Sequence, residues 1–158
     1  MIKVGDRIPT VTVRQVTADG VQEVSTDDFF KGKRVALFAV PGAFTSTCSA
    51  KHLPSFVKNA EAFKKKGVDV IACTAVNDAA VMRAWSQHQD AGAVTMLSDG
   101  NGELARALGV EADMSKNGMG RRSRRYAMLV ENGVVKAFNL EEPGAFGVSS
   151  GDHLLTQI

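Results

Sequence analysis

Apolar and polar residues alternate over Val11-Thr12-Val13-Arg14-Gln15-Val16, the period of a strand with one buried face. Asp19-Gly20 is a turn signal, and Val21–Val24 can return as the second arm of a hairpin. Arg34–Val40 is nearly all apolar, as a strand covered on both faces is. Cys48 to Lys66 suits a helix that bends or restarts at Pro54, with Gly67 after Lys64-Lys65-Lys66 as its stop. Val68–Val76 is a second buried strand. Asn77 and Asp78 can cap the next helix, where Val81, Ala84, Trp85 and His88 share one face. Ala93–Leu97 is a third strand, Asp99-Gly100-Asn101-Gly102 a turn and Glu103–Leu108 a short helix. Glu111–Gly120 has the composition of a loop. Tyr126–Val130 and Val134–Leu140 flank Glu131-Asn132-Gly133, a strong hairpin signal. Glu141–Ser150 is a loop, and Asp152–Gln157 a closing helix. Buried strands that alternate with helices and finish in a hairpin predict an α/β fold with a mixed sheet flanked by helices. No repeat, low-complexity tract or linker divides the chain, so residues 1–158 read as one domain.

Composition narrows the function classes. Of 158 residues, 44% are hydrophobic, enough for a core, and 23% are charged, an ordinary share. A net charge of +2 argues against nucleic acid and anionic membranes as partners. Two cysteines, Cys48 and Cys73, make no disulfide scaffold and suit a reducing compartment. Met1-Ile2-Lys3-Val4-Gly5-Asp6 carries no apolar signal region or transit pattern, and no run reaches membrane-helix length, so the expected location is the cytoplasm.

The densest chemistry follows the Arg34–Val40 strand. Pro41 and Gly42 break it, and Ala43-Phe44-Thr45-Ser46-Thr47 leads into Cys48. Ser46 and Thr47 are residues of the helix-capping kind. A cysteine at such a helix start faces free N–H groups and the positive end of the helix dipole, which favours thiolate over thiol. Cys48 is therefore a candidate nucleophile as well as a candidate small core residue.

Pro41, Thr45 and Cys48 form P-x-x-x-T-x-x-C, followed by Ser49 and His52-Leu53-Pro54. This pattern, with Val76-Asn77-Asp78 and Trp85, and with Arg124-Arg125-Tyr126-Ala127-Met128 before Asn132-Gly133, resembles the peroxiredoxins of the type 5 (type II) group. The similarity runs from about Val4 to the C-terminus. It implies a thioredoxin-like fold, an antioxidant peroxidase reaction on hydrogen peroxide and alkyl hydroperoxides, and no bound cofactor. Cys48 would be the attacking sulfur. Thr45 would accept a hydrogen bond from the peroxide and donate one to the thiolate. The N–H groups of Thr47 and Cys48 would hold oxygen where charge develops. Arg125 would hold thiolate and peroxide, and Pro41 would shield the oxidised sulfur. Phe44 and the Met114–Met119 segment are candidates for an apolar rim, or for the face of a homodimer.

Several readings stay open on the sequence alone. His52, four residues after Cys48, can help in positioning or make a structural hydrogen bond. Arg121, Arg122, Arg124 and Arg125 form a basic run; outside Arg125 a solvated face is the plain reading. Cys73 lies in the apolar run Val70-Ile71-Ala72-Cys73 and can be inert, or a second redox cysteine reduced by thioredoxin. Where some relatives carry a resolving cysteine near the C-terminus, this chain has Ser149 and Ser150. That departure favours a one-cysteine cycle in which glutathione or glutaredoxin reduces the sulfenic acid. A redox-sensor module and a metal site on Cys48, His52 and Cys73 are the weaker competitors, the latter matching no standard zinc spacing.

Overall fold

A computed structural model describes all 158 residues. Nine strands and six α-helices are formed, beginning with the hairpin β1 (Thr12–Thr17) and β2 (Gly20–Ser25) and the short helix α1 (Thr26–Phe30). The central region is β3 (Arg34–Ala39), a π-helical turn (Cys48–His52), α2 (Leu53–Val57), α3 (Ala60–Lys65), β4 (Val70–Ala75), α4 (Ala79–His88), β5 (Thr95–Ser98) and α5 (Glu103–Leu108). A small ribbon, β6 (Glu111–Asp113) and β7 (Arg121–Ser123), precedes β8 (Tyr126–Glu131), β9 (Val134–Leu140) and α6 (Gly151–Leu155).

Seven strands form one sheet in the order β2-β1-β5-β4-β3-β8-β9. β3, β4 and β5 run parallel, while β1, β8 and the hairpin partners run antiparallel, giving the expected mixed sheet. The period of two along β3 divides its apolar run between two cores. Val35, Leu37 and Ala39 face Phe29, Phe30, Leu104 and Leu108 of α1 and α5. Ala36, Phe38 and Val40 face Leu53, Phe56, Phe63, Met82, Trp85 and Leu154 of the other helices, and both cysteines lie on that side. There Phe38, Phe56 and Phe63 stack in a column with centroids 4.1 and 5.5 Å apart. Such ring pairs add about 1 kcal/mol each beyond their burial. α6 closes this face against α2, where any Cβ at Gly151 would collide with the carbonyl of Ser55.

Four elements depart from the sequence reading. The Cys48–Lys66 helix is not continuous: it breaks at Lys58 and Asn59, and the Asn59 side chain donates to the Ser55 carbonyl at 2.7 Å in place of a backbone amide. Glu111–Gly120 is not wholly loop, because Glu111–Asp113 pairs with Arg121–Ser123 around a short 3-10 turn. On α4, Met82 and Trp85 are buried, whereas Ala84 and His88 are exposed. The helix rolls to bury its largest side chains, and the Trp85 indole N–H donates to Ser49 Oγ at 2.9 Å. α1 has no counterpart in the sequence reading; Ser25 caps it, accepting from the Asp28 amide at 3.1 Å.

Candidate active site

β3 delivers the chain to the site. The Val40 amide still bonds Thr74 of β4, after which Pro41 and Gly42 leave the sheet. The Ala43 amide is taken by the side chain of Asn77, at 2.9 Å, from the loop before α4. Phe44 adopts φ +66°, a left-handed conformation unusual for a bulky residue. Its ring is half exposed and lies 5.8 Å from that of His88.

Helical backbone begins at Ser46, so Thr45 occupies the cap position. Its carbonyl accepts from the Ser49 amide at 3.0 Å. Its hydroxyl, however, turns back to donate to the Gly42 carbonyl at 2.7 Å. That proton is committed to Gly42, so Thr45 does not donate to Cys48 here; its hydroxyl oxygen keeps acceptor capacity. Ser46 and Thr47 do not cap either, being already helical. The backbone amides of Ser46, Thr47 and Cys48 have no acceptor within the protein.

The first full turn is π-helical: the Leu53 amide reaches back five residues to the Cys48 carbonyl. It directly precedes Pro54, which has no N–H to give and so tolerates the widened register. Cys48 and His52 both lie under this turn, fully buried, and both meet Arg125. The pairing of Ala39 with Tyr126 places Arg125, just ahead of β8, beside the end of β3. One guanidinium nitrogen donates to Cys48 Sγ at 3.1 Å and the other to His52 Nδ1 at 2.8 Å.

His52 Nε2 lies 2.9 Å from the Ser149 carbonyl, which can only accept. His52 is therefore the neutral tautomer with its proton on Nε2. Burial, packed near Phe38, Phe56 and Phe146, and then the charge of Arg125 pull its pKa down to about 3, against the opposing pull of the Ser149 carbonyl. With both nitrogens engaged and its cationic form disfavoured, His52 holds Arg125 and is not free to serve as a metal ligand or a general base.

A cavity of about 460 Å³ opens over this turn. Pro41, Thr45, Thr47 and Arg125 line it, with Met114 and Met119 contributing apolar wall. Cys48, fully buried, and Phe44 are not among the lining residues. Cys73 pairs with Phe38 across β3 and β4 and is fully buried. Burial, reinforced by the neighbouring Cys48, pushes its thiol pKa well up, with Arg125 acting in the opposite direction. Both cysteines are free thiols.

The sequence reading missed Asn77 in its contact with Ala43, Glu141 altogether, and Ser149 as a partner of His52 and Glu141. Glu141 is buried, and one carboxylate oxygen accepts from the Gly147 amide at 2.5 Å, the Ser149 amide at 2.9 Å and the Ser149 hydroxyl at 2.7 Å. Nothing local marks it, since its partners lie across an irregular loop.

Together, these atoms present a sulfur held by a guanidinium, three unpaired amides and a hydroxyl oxygen beside one cavity. That is an arrangement for a nucleophile attacking where negative charge develops. The chain matches the Redoxin family over residues 3–155. Peroxiredoxin-2E-2, chloroplastic, of Oryza sativa is 53% identical, over 98% of this chain and 71% of the relative. The hybrid peroxiredoxin hyPrx5 of Haemophilus influenzae is 43% identical, over 96% of this chain and 64% of its own length. Reduced Prx3 of Vibrio vulnificus, solved in complex with hydrogen peroxide, superposes with a TM-score of 0.96 at 46% identity, over 99% of both chains. A thioredoxin-like mixed sheet matched end to end, with this identity, means that the chain belongs to the redoxin family and within it is a peroxiredoxin of the type 5 (type II) group, a thiol peroxidase that needs a thiol reductant and no prosthetic group.

Proposed function

We propose that Cys48 is the peroxidatic cysteine and that Thr45 and Arg125 are its catalytic partners, with Pro41 and Thr47 contacting the peroxide. The observation that carries this is the Arg125 guanidinium at 3.1 Å from Cys48 Sγ, beside amides with no protein acceptor. The thiolate attacks the terminal oxygen of a hydroperoxide. An S–O bond forms, the O–O bond breaks, and the leaving hydroxide or alkoxide takes a proton from water. The amides of Thr47 and Cys48 and the Arg125 guanidinium stabilise the charge that moves onto oxygen. The Met114 and Met119 walls suit alkyl as well as inorganic hydroperoxides. Cys48→Ser abolishes turnover; a substantial residual rate would overturn the assignment.

The reductant is glutathione, with glutaredoxin clearing the mixed disulfide. One thiol displaces water from the sulfenic acid, forming a disulfide to Cys48, and a second thiol releases Cys48 and leaves as the oxidised pair. Arg124 and Arg125 on the cavity wall favour an anionic thiol. The raised pKa of Cys73, and Ser149 and Ser150 where some relatives carry a resolving cysteine, weigh against an internal partner. A two-cysteine cycle with thioredoxin is the second reading, favoured by Cys73 sharing one core with Cys48. Cys73→Ser separates the two: nearly full turnover with glutathione and glutaredoxin supports the first. Lost turnover in a folded variant, with a Cys48–Cys73 disulfide in the oxidised wild type, supports the second.

The protein acts as a single domain and a homodimer, with exposed Phe44 beside His88 on the pairing face. Monomer alone in sedimentation at tens of micromolar (a range set by ordinary interface affinities) would overturn a stable dimer. Its location is the cytoplasm. No helix is long and apolar enough to cross a membrane, and fractionation of the cells that make it tests the compartment.

A further inference from the structure

The hydrogen bonds around Arg125 close into a ring. The Arg125 carbonyl accepts from the Glu141 amide at 3.0 Å. The Glu141 carboxylate gathers the amide and hydroxyl of Ser149. The Ser149 carbonyl accepts from His52 Nε2, and His52 Nδ1 accepts from Arg125. Each link leaves the next only one way to bond. With its amide and hydroxyl fixed by one carboxylate oxygen, Ser149 presents its carbonyl to His52. A carbonyl there requires the proton on Nε2, which leaves Nδ1 as an acceptor. An acceptor at Nδ1 fixes one arm of the guanidinium, and the planar fork then aims the other at Cys48.

We propose that Glu141 is a positioning residue for Cys48, acting through Ser149, His52 and Arg125 to hold the guanidinium on the sulfur. The inference rests on the Cys48–Arg125 assignment made above. Glu141 also lines the cavity, yet its carboxylate faces the loop at Gly147 and Ser149. Its carboxyl is desolvated by burial, which opposes ionisation, but the bonds from Gly147, Ser149 and Val148 outweigh that and hold it below the ordinary glutamate range. An anionic acceptor with three donors on one oxygen is a strong anchor for a loop that otherwise has no regular structure.

The test compares Glu141→Ala and Glu141→Gln with wild type by two readouts. One is the rate of Cys48 oxidation by hydrogen peroxide; the other is the nitrogen NMR signature of the His52 ring. Wild type shows one neutral tautomer, protonated at Nε2. Glu141→Ala shows mixed tautomers and reacts about tenfold slower, the scale of loss for a misaimed reacting group. Glu141→Gln, which keeps an amide oxygen as acceptor, recovers to within about threefold of wild type. A folded Glu141→Ala with an unchanged ring signature and a rate within about twofold of wild type would overturn the proposal. Should Glu141→Ala fail to fold, Glu141→Gln combined with Ser149→Ala removes the carboxylate charge and the hydroxyl arm together, and an unchanged ring signature and rate there overturn it equally. Arg125→Ala distinguishes the two levels. If it reacts as fast as wild type, the Cys48–Arg125 assignment falls and the positioning role with it. If it is slow while Glu141→Ala is fast, only the positioning role falls.

Discussion

At the turn before α5, the carboxylate of Asp99 accepts from the amides of Leu104 at 3.0 Å and Ala105 at 2.9 Å. At the turn before Cys48, the corresponding amides meet no protein acceptor, and the cap-position hydroxyl of Thr45 points away to Gly42. Both turns follow a strand of the same sheet, and both open a helix. One satisfies its helix start internally and is structural. The other gives up a cap worth about 1 kcal/mol and leaves its amides without a protein acceptor. Ser25, Asp78 and Ser150 cap their helices with side chains in the first manner. Asn59 gives α3 no side-chain cap, but that start directly continues α2, whereas the start before Cys48 follows a strand and lies beside the cavity.

The sharpest way to break this contrast is to make the second turn resemble the first. Thr45→Asp places a carboxylate where it can accept from the Thr47 and Cys48 amides and oppose a thiolate. Peroxide reduction falls by about 10³-fold, the scale of losing an oxyanion donor, while thermal stability holds or rises. Stopped-flow kinetics and a melting curve test both halves, and a variant that keeps its rate shows that the amides are not used.

Acid separates the turns next. His52 has its pKa lowered from 6.5 to about 3 by burial and Arg125, so its neutral form belongs to the folded state. Its contribution is complete above pH 6.5 and is lost as pH falls toward 3, because the unfolded chain binds the proton first. Asp99 has the opposite sign. Burial raises its pKa despite the Leu104 and Ala105 amides, so its contribution is complete below the unfolded value and is lost as pH rises through the folded one. Urea midpoints measured across pH fall with acid in wild type, and His52→Gln flattens that slope. An equal slope in both proteins contradicts the assignment to His52.

Asp99→Ala leaves two amides of α5 without their acceptor and costs about 2–3 kcal/mol of stability. Peroxide reduction by the folded fraction stays within about twofold of wild type, in contrast with Thr45→Asp. Smallest of all, Ser25→Ala loses about 1 kcal/mol and no activity, as expected of a cap far from the cavity. Either variant slowing peroxide attack by an order of magnitude would show that the two kinds of turn are coupled.

How much of this was legible beforehand follows from the range of the interactions involved. Strands β3, β4, β8 and β9, the Asp78 cap and the Asn132-Gly133 hairpin are written in local pattern, and the sequence shows them. Cys48, Thr45 and Arg125 stand out through a motif and a family resemblance. The π-helical turn is different, because Pro54 signals a disturbance without saying how the register adjusts. β6 and β7 are three residues each, too short to display a period. The rotation of α4 depends on Ser49 waiting for the Trp85 indole. Glu141 and Ser149 gain their importance from contacts across an irregular loop and, in the case of Ser149, with a histidine 97 residues earlier.

That last separation bears on how the protein is made. Cys48 emerges from the ribosome long before Arg125, and Ser149 follows another 24 residues later. Until those residues arrive and dock, the nascent Cys48 has neither its guanidinium nor the loop that secures it. The contacts around the sulfur are thus assembled only after residues far apart in the chain have all been made, and a partly made chain carries Cys48 without the guanidinium and the loop that surround it in the folded protein.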